Sequence, residues 1–201
     1  MIERSRRDAG QAFPIYVVMV AGLLFLVFAF FAVGKASALR NGAQGAADAA
    51  ALAAAQQNRE NFGTGFLASL PGDMLEQFLR AHRVYGCPAA RKFAAENQAR
   101  LSDCLPTLGG RRDRIKVEVK GRKPVDSSVI PGTKKRVAKA TATAIVEFRC
   151  EWKALDFNDD GVMDLYIFTC GSAGTVEIAP GSPPPWSEVS KILYDVHLVD
   201  N

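Results

Sequence analysis

Two histidines among 201 residues, at positions 82 and 197, exclude a multi-histidine metal centre. Neither has a serine or cysteine beside it to activate: His82 reads as a half-buried or solvated helix residue, His197 as an ordinary strand residue. The motifs that carry common catalysis are missing as well. There is no G-x-x-x-x-G-K-[ST] phosphate loop, no G-x-S-x-G nucleophile elbow and no H-E-x-x-H zinc pair, so the chain reads as a non-enzyme. The four cysteines form no C-x-x-C, which argues against a redox dithiol or a zinc ribbon. The most informative absence is charge. Residues 12–34 hold 23 consecutive positions without one, so a mean hydropathy of +0.01 averages two very different parts.

That run, AFPIYVVMVAGLLFLVFAFFAVG, is about 35 Å long as a helix at about 1.5 Å per residue, enough for a hydrocarbon core of roughly 30 Å. Arg4, Arg6 and Arg7 precede it and only Lys35 and Arg40 closely follow, which favours a cytoplasmic N-terminus and an exported body. The competing reading is a secretory signal cleaved at Ala36-Ser37-Ala38; against it stand the length of the run and Lys35 just before the site. Residues 36–57, ASALRNGAQGAADAAALAAAQQ, are dominated by the best intrinsic helix former. The spanning helix is therefore expected to run on, with a bend conceivable at Gly42 and Gly45, or else to become a flexible Ala-rich linker.

The remainder reads as helices followed by strands. Helices are expected over residues 74–84, with Asp73 as N-cap, and over 88–101. Strands are expected over 115–120, 136–155, 165–170, 175–179 and 195–199, a long loop over 121–135 and a short helix over 186–193. The fold class is α+β: a long N-terminal transmembrane helix continuing as an Ala-rich helix, then a small disulfide-bonded domain with helices and an antiparallel sheet. The boundaries are a basic cytoplasmic N-terminus (1–11), the transmembrane helix (12–34), an Ala-rich helical extension (35–60) and the exported domain (61–201). Cysteines in an exported domain point to two disulfides. Cys150 and Cys170 are equidistant from Asp160, so a hairpin turning there sets them opposite each other and leaves Cys87 to Cys104. The other two connectivities stay open.

The turn itself, DFNDDGVMD over residues 156–164, fits D-x-[DN]-x-[DN]-G-x-x-D. Asp156, Asn158, Asp160 and Asp164, with the backbone carbonyl of Val162, are candidate oxygen ligands for Ca²⁺, and Gly161 permits the sharp turn. Ile167 stands where an EF-hand needs its bidentate glutamate, so the spacing resembles the shorter calcium loops between β-strands; the alternative is an acidic hairpin turn with no ion. Charge is also segregated. Residues 111–139 carry eleven basic and three acidic groups (+8), and 140–201 carry three and ten (−7). The two segments either attract each other within the fold or leave the basic one for an anionic partner, cell-wall polymer or lipid headgroup. Nucleic acid is excluded as a partner, because the basic stretch has no interleaved aromatics and faces away from the cytoplasm.

Residues 10–57 also carry a family resemblance. Gly10-Gln11 before an uncharged span, followed by DAAALAAA at 48–55, is similar to the N-terminal module of the TadE/TadG-like proteins of Tad (Flp) pilus assembly, particularly actinobacterial ones; the C-terminal YDVHLVDN is similar to the ends of such chains. The resemblance implies a single-pass protein of the cell membrane, inserted N-in. Its expected partners are the lipid bilayer and pilus or secretion machinery proteins, and its expected role is structural or in assembly. The alternative is a single-pass surface-binding protein whose exported domain recognises an anionic polymer or a partner protein. Some relatives are cut after a glycine, which makes Gly10 the candidate processing position. Tyr16 matches that pattern, but Ile15 replaces its glutamate and cannot neutralise a neighbour's N-terminal amine.

Overall fold

The computed structural model describes residues 12–124 and 136–199, so Gly10 and most of the loop expected over 121–135 lie outside the described residues. One helix, α1 (Ala12–Asn61), runs for 50 residues, about 75 Å at 1.5 Å per residue. Its only proline, Pro14, sits in the first turn, where no intrahelical N–H is lost, and Gly42 and Gly45 do not interrupt it. The helix has two environments. From Phe13 to Val33 the large apolar side chains are exposed, and an 18-residue window reaches a mean hydropathy of 2.8. Each such side chain left in water forgoes about 1.5–3 kcal/mol, so this half suits an apolar phase and is long enough to cross a membrane.

From Ala43 onwards the same helix is protein core. Ala46, Ala47, Ala50, Ala51, Ala54 and Ala55 are buried, packed against strands and a second helix. Methyl-sized side chains let the neighbouring backbone approach closely: a Cβ added at Gly86 would lie 2.3 Å from the carbonyl oxygen of Ala54. The Ala-rich stretch is thus the domain's central helix and not a stalk ahead of it. After Phe62 the chain continues as α2 (Gly63–Ser69), α3 (Leu75–Ala81) and α4 (Cys87–Glu96). Asn58 and Gln57 of α1 accept hydrogen bonds from the backbone N–H groups of Tyr85 (2.7 Å) and Ala89 (3.1 Å), tying down the approach to α4.

Two antiparallel sheets complete the domain. Strands β1 (Ala99–Thr107), β2 (Arg112–Pro124), β3 (Val137–Phe148) and β7 (Tyr194–Val199) form the first, in the order β1-β2-β3-β7. Ile115, Val117 and Val119 alternate inward beneath α1, as a period of two requires. Strands β4 (Glu151–Leu155), β5 (Leu165–Thr169) and β6 (Thr175–Ile178) form the second, and α5 (Trp186–Leu193) returns the chain to β7. Beyond the end of α1, Phe62, Phe66, Phe78, Phe148, Phe168, Trp186 and Tyr194 join the two sheets as one aromatic cluster. The Trp186 indole N–H donates to the Arg59 carbonyl (3.0 Å), satisfying one of the orphan carbonyls at the end of α1.

Several local expectations are corrected. The helix expected over 88–101 stops at Glu96, because Gln98 takes a left-handed conformation (φ 56°) and turns the chain into β1, a strand the alternation did not reveal. A bulge between Leu101 and Asp103 shifts its phase, which hid it. The helix expected over 74–84 spans Leu75–Ala81; Met74, not Asp73, is its N-cap, and His82 is already extended. Residues 121–124 belong to β2 rather than to a loop. The single strand expected over 136–155 is two strands in different sheets. The break is at Arg149, whose guanidinium donates to the Lys191 and Ile192 carbonyls (2.7 and 2.9 Å) at the end of α5.

Candidate functional site

The β4–β5 hairpin pairs Leu155 with Leu165 and Glu151 with Thr169, a register centred on residue 160. Cys150 and Cys170 flank it and are bonded (Cα–Cα 4.1 Å), while Cys87 at the start of α4 is bonded to Cys104 on β1 (Cα–Cα 5.9 Å). The acidic turn is thus held at its base by a covalent clasp. Within the turn the side chains organise the backbone. Asp156 accepts from the N–H groups of Asp159 and Gly161 (both 2.8 Å) and Asn158 (3.2 Å). Asp160 accepts from Val162 N–H (2.8 Å) and from the Asn158 amide (3.0 Å), and Asp164 from Phe157 N–H (2.8 Å). The Gly161 N–H, followed by the other turn amides, holds the exposed Asp156 carboxyl below its usual range despite some opposing desolvation. Asp156, Asn158, Asp160 and Asp164 therefore share one turn, with their oxygens directed at amides. Among the described residues, no group of three or more His, Cys, Asp or Glu side chains converges as a metal site.

A second constellation lies in the core. The His82 side chain is 3% exposed and contacts the Asp113 carboxylate, itself 2% exposed, through Nε2, while Nδ1 lies 3.0 Å from the Phe78 carbonyl oxygen. Phe78 stacks on the ring and Phe62 meets it edge-on. Both ring nitrogens face acceptors. A neutral imidazole has one N–H and satisfies only one of them; the imidazolium satisfies both. Desolvation works against that charge, but the Asp113 hydrogen bond and charge, with the backbone carbonyls, outweigh it and raise the His82 pKa. Asp113 also accepts from Gly109 N–H (3.0 Å). The pair locks the end of α3 to β2. It is no solvated histidine, and the sequence held a signal for it: Asp113 is in phase with the inward residues Ile115 and Val117, and a carboxylate on an apolar face needs a partner.

The basic segment divides in two. Arg111 pairs with Glu151 (2.9 Å) and Arg112 with Glu147 (3.7 Å), so its first residues do meet the acidic segment. Arg111 also lies over the Phe148 and Trp152 rings (5.5 and 5.2 Å). Lys120, Arg122, Lys123, Arg136 and Lys139 form no ion pair among the described residues.

The comparisons with known proteins bear on the helix. No curated protein and no solved structure matches the chain. A family model does, that of the putative Flp pilus-assembly TadE/G-like proteins, over residues 10–57. The match covers the apolar half of α1 and most of its buried Ala-rich half, and ends four residues before the end of the helix. Over residues 10–57 the chain is therefore similar to the TadE/G-like proteins, and the match does not extend to the rest of the domain.

Proposed function

We propose that the chain is a membrane-anchored structural or assembly component of a Tad (Flp)-type pilus or a related secretion apparatus. It lies N-terminus-in, with the disulfide-bonded domain outside the cell. One observation carries this reading: the family-matched helix is bare and apolar over 13–33 and becomes the core of a folded domain from Ala43 without a break. A subunit built this way transmits position directly, because anchor and domain share one rigid element. The two disulfides support an exported location, since such bonds persist in oxidising compartments. No catalytic step enters this role.

Mild crosslinking of the full chain in its native membrane, followed by affinity capture, tests the assignment. Recovery of pilus or secretion machinery proteins is expected. Capture of an anionic polymer without any machinery protein favours the surface-binding alternative. We further propose the 156–164 turn as a Ca²⁺ site with Asp156, Asn158, Asp160, Asp164 and the Val162 carbonyl as ligands. Support comes from its acidic density and alternating oxygen donors, and binding would require the carboxylates to turn from amides to the ion.

A further inference from the structure

Lys120, Arg122, Lys123, Arg136 and Lys139, which form no ion pair among the described residues, share one end of the domain. Arg122 and Lys123 line a small cleft together with Ala38, Leu39, Gly42 and Ala43 of α1 and with Gln98 and Ala99. Those α1 residues stand four to nine positions past Gly34, about 6–14 Å beyond the end of the uncharged run. Headgroup layers add roughly 5–8 Å to each side of the hydrocarbon core, so when the run spans a bilayer the near edge of this end lies at headgroup level and the rest stands just above it, within reach of long basic side chains. The sheet register concentrates charge there. Arg100 pairs with Lys120, and Lys120 with Lys139, so three cations occupy one rung across β1, β2 and β3. Like charges directly opposite one another are destabilising in a sheet, and among the described residues no carboxylate pairs with this rung. The carboxylates Asp103 and Glu118, paired two rungs further along, are engaged by Cys104 N–H (2.8 Å) and by the Ser102 hydroxyl (3.1 Å). Arg122, Lys123 and Arg136, all exposed, extend the patch beyond the rung at the same end of β2 and β3. The acidic turn lies at the other end: Met163 N–H donates to Pro71 (2.9 Å), past α2.

We propose that this membrane-proximal end is a docking surface for the anionic phospholipid headgroups of the bilayer that α1 spans, made by Arg100, Lys120, Arg122, Lys123, Arg136 and Lys139. The inference rests on the anchor reading of α1 and adds a second attachment, which fixes the tilt of the domain over the membrane. Long Lys and Arg stems reach down while their heads meet phosphate, and each cation near an anionic surface contributes a factor of about five in binding.

The test places the full chain in nanodiscs of phosphatidylcholine alone or mixed with phosphatidylglycerol and follows backbone hydrogen exchange. Residues 97–100, 120–124 and 136–139 are expected to exchange at least about fivefold more slowly with phosphatidylglycerol present. Raised salt, or the combined Arg122→Gln, Lys123→Gln and Lys139→Gln variant, should remove that protection while leaving the β4–β5 turn unchanged. Equal exchange in both kinds of disc overturns the docking surface and leaves the anchor standing, since the chain is then in the disc. A chain that does not enter discs overturns the anchor, and the docking surface with it. Protection that appears only on adding soluble polyglycerol phosphate overturns the lipid assignment in favour of a wall polymer.

Discussion

The buried His82–Asp113 pair makes the stability of this domain fall as pH rises through neutrality, and the size of the effect follows from its geometry. The folded-state pKa of His82 lies above the usual 6.5. Its contribution is therefore fully present below about 6.5 and is lost as pH rises through the raised folded value. Between those limits the native state holds one more proton than the unfolded chain, so stability declines by at most about 1.4 kcal/mol per pH unit. Removing one partner is more severe: His82→Ala or Asp113→Ala leaves a buried group unpaired and should cost about 3–5 kcal/mol. Asp113→Asn separates charge from shape. Its carbonyl oxygen keeps the Gly109 N–H, its amide donates to Nε2, and a neutral His82 donates Nδ1–H to Phe78, so all three present contacts of the pair are kept. That variant should lose the pH slope while keeping most of the stability. The assay is urea unfolding of the full chain in detergent, read by the fluorescence of Trp152 and Trp186 from pH 6 to 9, with His197→Gln as control. A flat wild-type profile, or a slope that survives in Asp113→Asn, would refute the reasoning.

Removing the Cys87–Cys104 bond with paired serines should lower stability by about 3 kcal/mol, from the loop entropy of its 17-residue separation, measurable in the same urea assay. Gly86→Ala drives a Cβ into the backbone of Ala54 and should cost about 1–3 kcal/mol, whereas Gly45→Ala, with open space around it on α1, should gain about 0.5–1 kcal/mol; thermal unfolding compares the two. Calorimetric titration of the full chain with Ca²⁺ should give a heat that vanishes in the Asp156→Ala, Asp160→Ala double variant. No heat in the wild type ends the calcium proposal.

What the sequence disclosed and what it hid follow from the range of the interactions. The uncharged run, the Ala-rich continuation and the α5 helix are written in local composition, and the structure has each of them. The hairpin around Asp160 was legible because Gly161 and a symmetric pair of cysteines mark its centre. Strand β1 was not, since the bulge near Ser102 and Pro106 spoil its alternation. Nor was the break at Arg149, which depends on carbonyls of α5 more than 40 residues away. The role of the alanines was half legible: composition indicated a helix, but only the packing makes it the core. His82 and Asp113, 31 positions apart, meet through the placement of α3 on β2, which no local pattern encodes.

The central claim is that one unbroken helix is both bilayer anchor and domain core. Nitroxide labels placed singly along α1 from Val17 to Asn58, in the full chain reconstituted in lipid, test it most directly through collisions with oxygen and with a water-soluble relaxation agent. Labels over 17–31 should meet oxygen on all faces and exclude the aqueous agent. Beyond Ala43 accessibility should oscillate with the helical period, sheltering Ala43, Ala47, Ala50 and Ala54 from both. Aqueous access throughout 17–31, or no sheltered face from Ala43 to Asn58, would contradict the account.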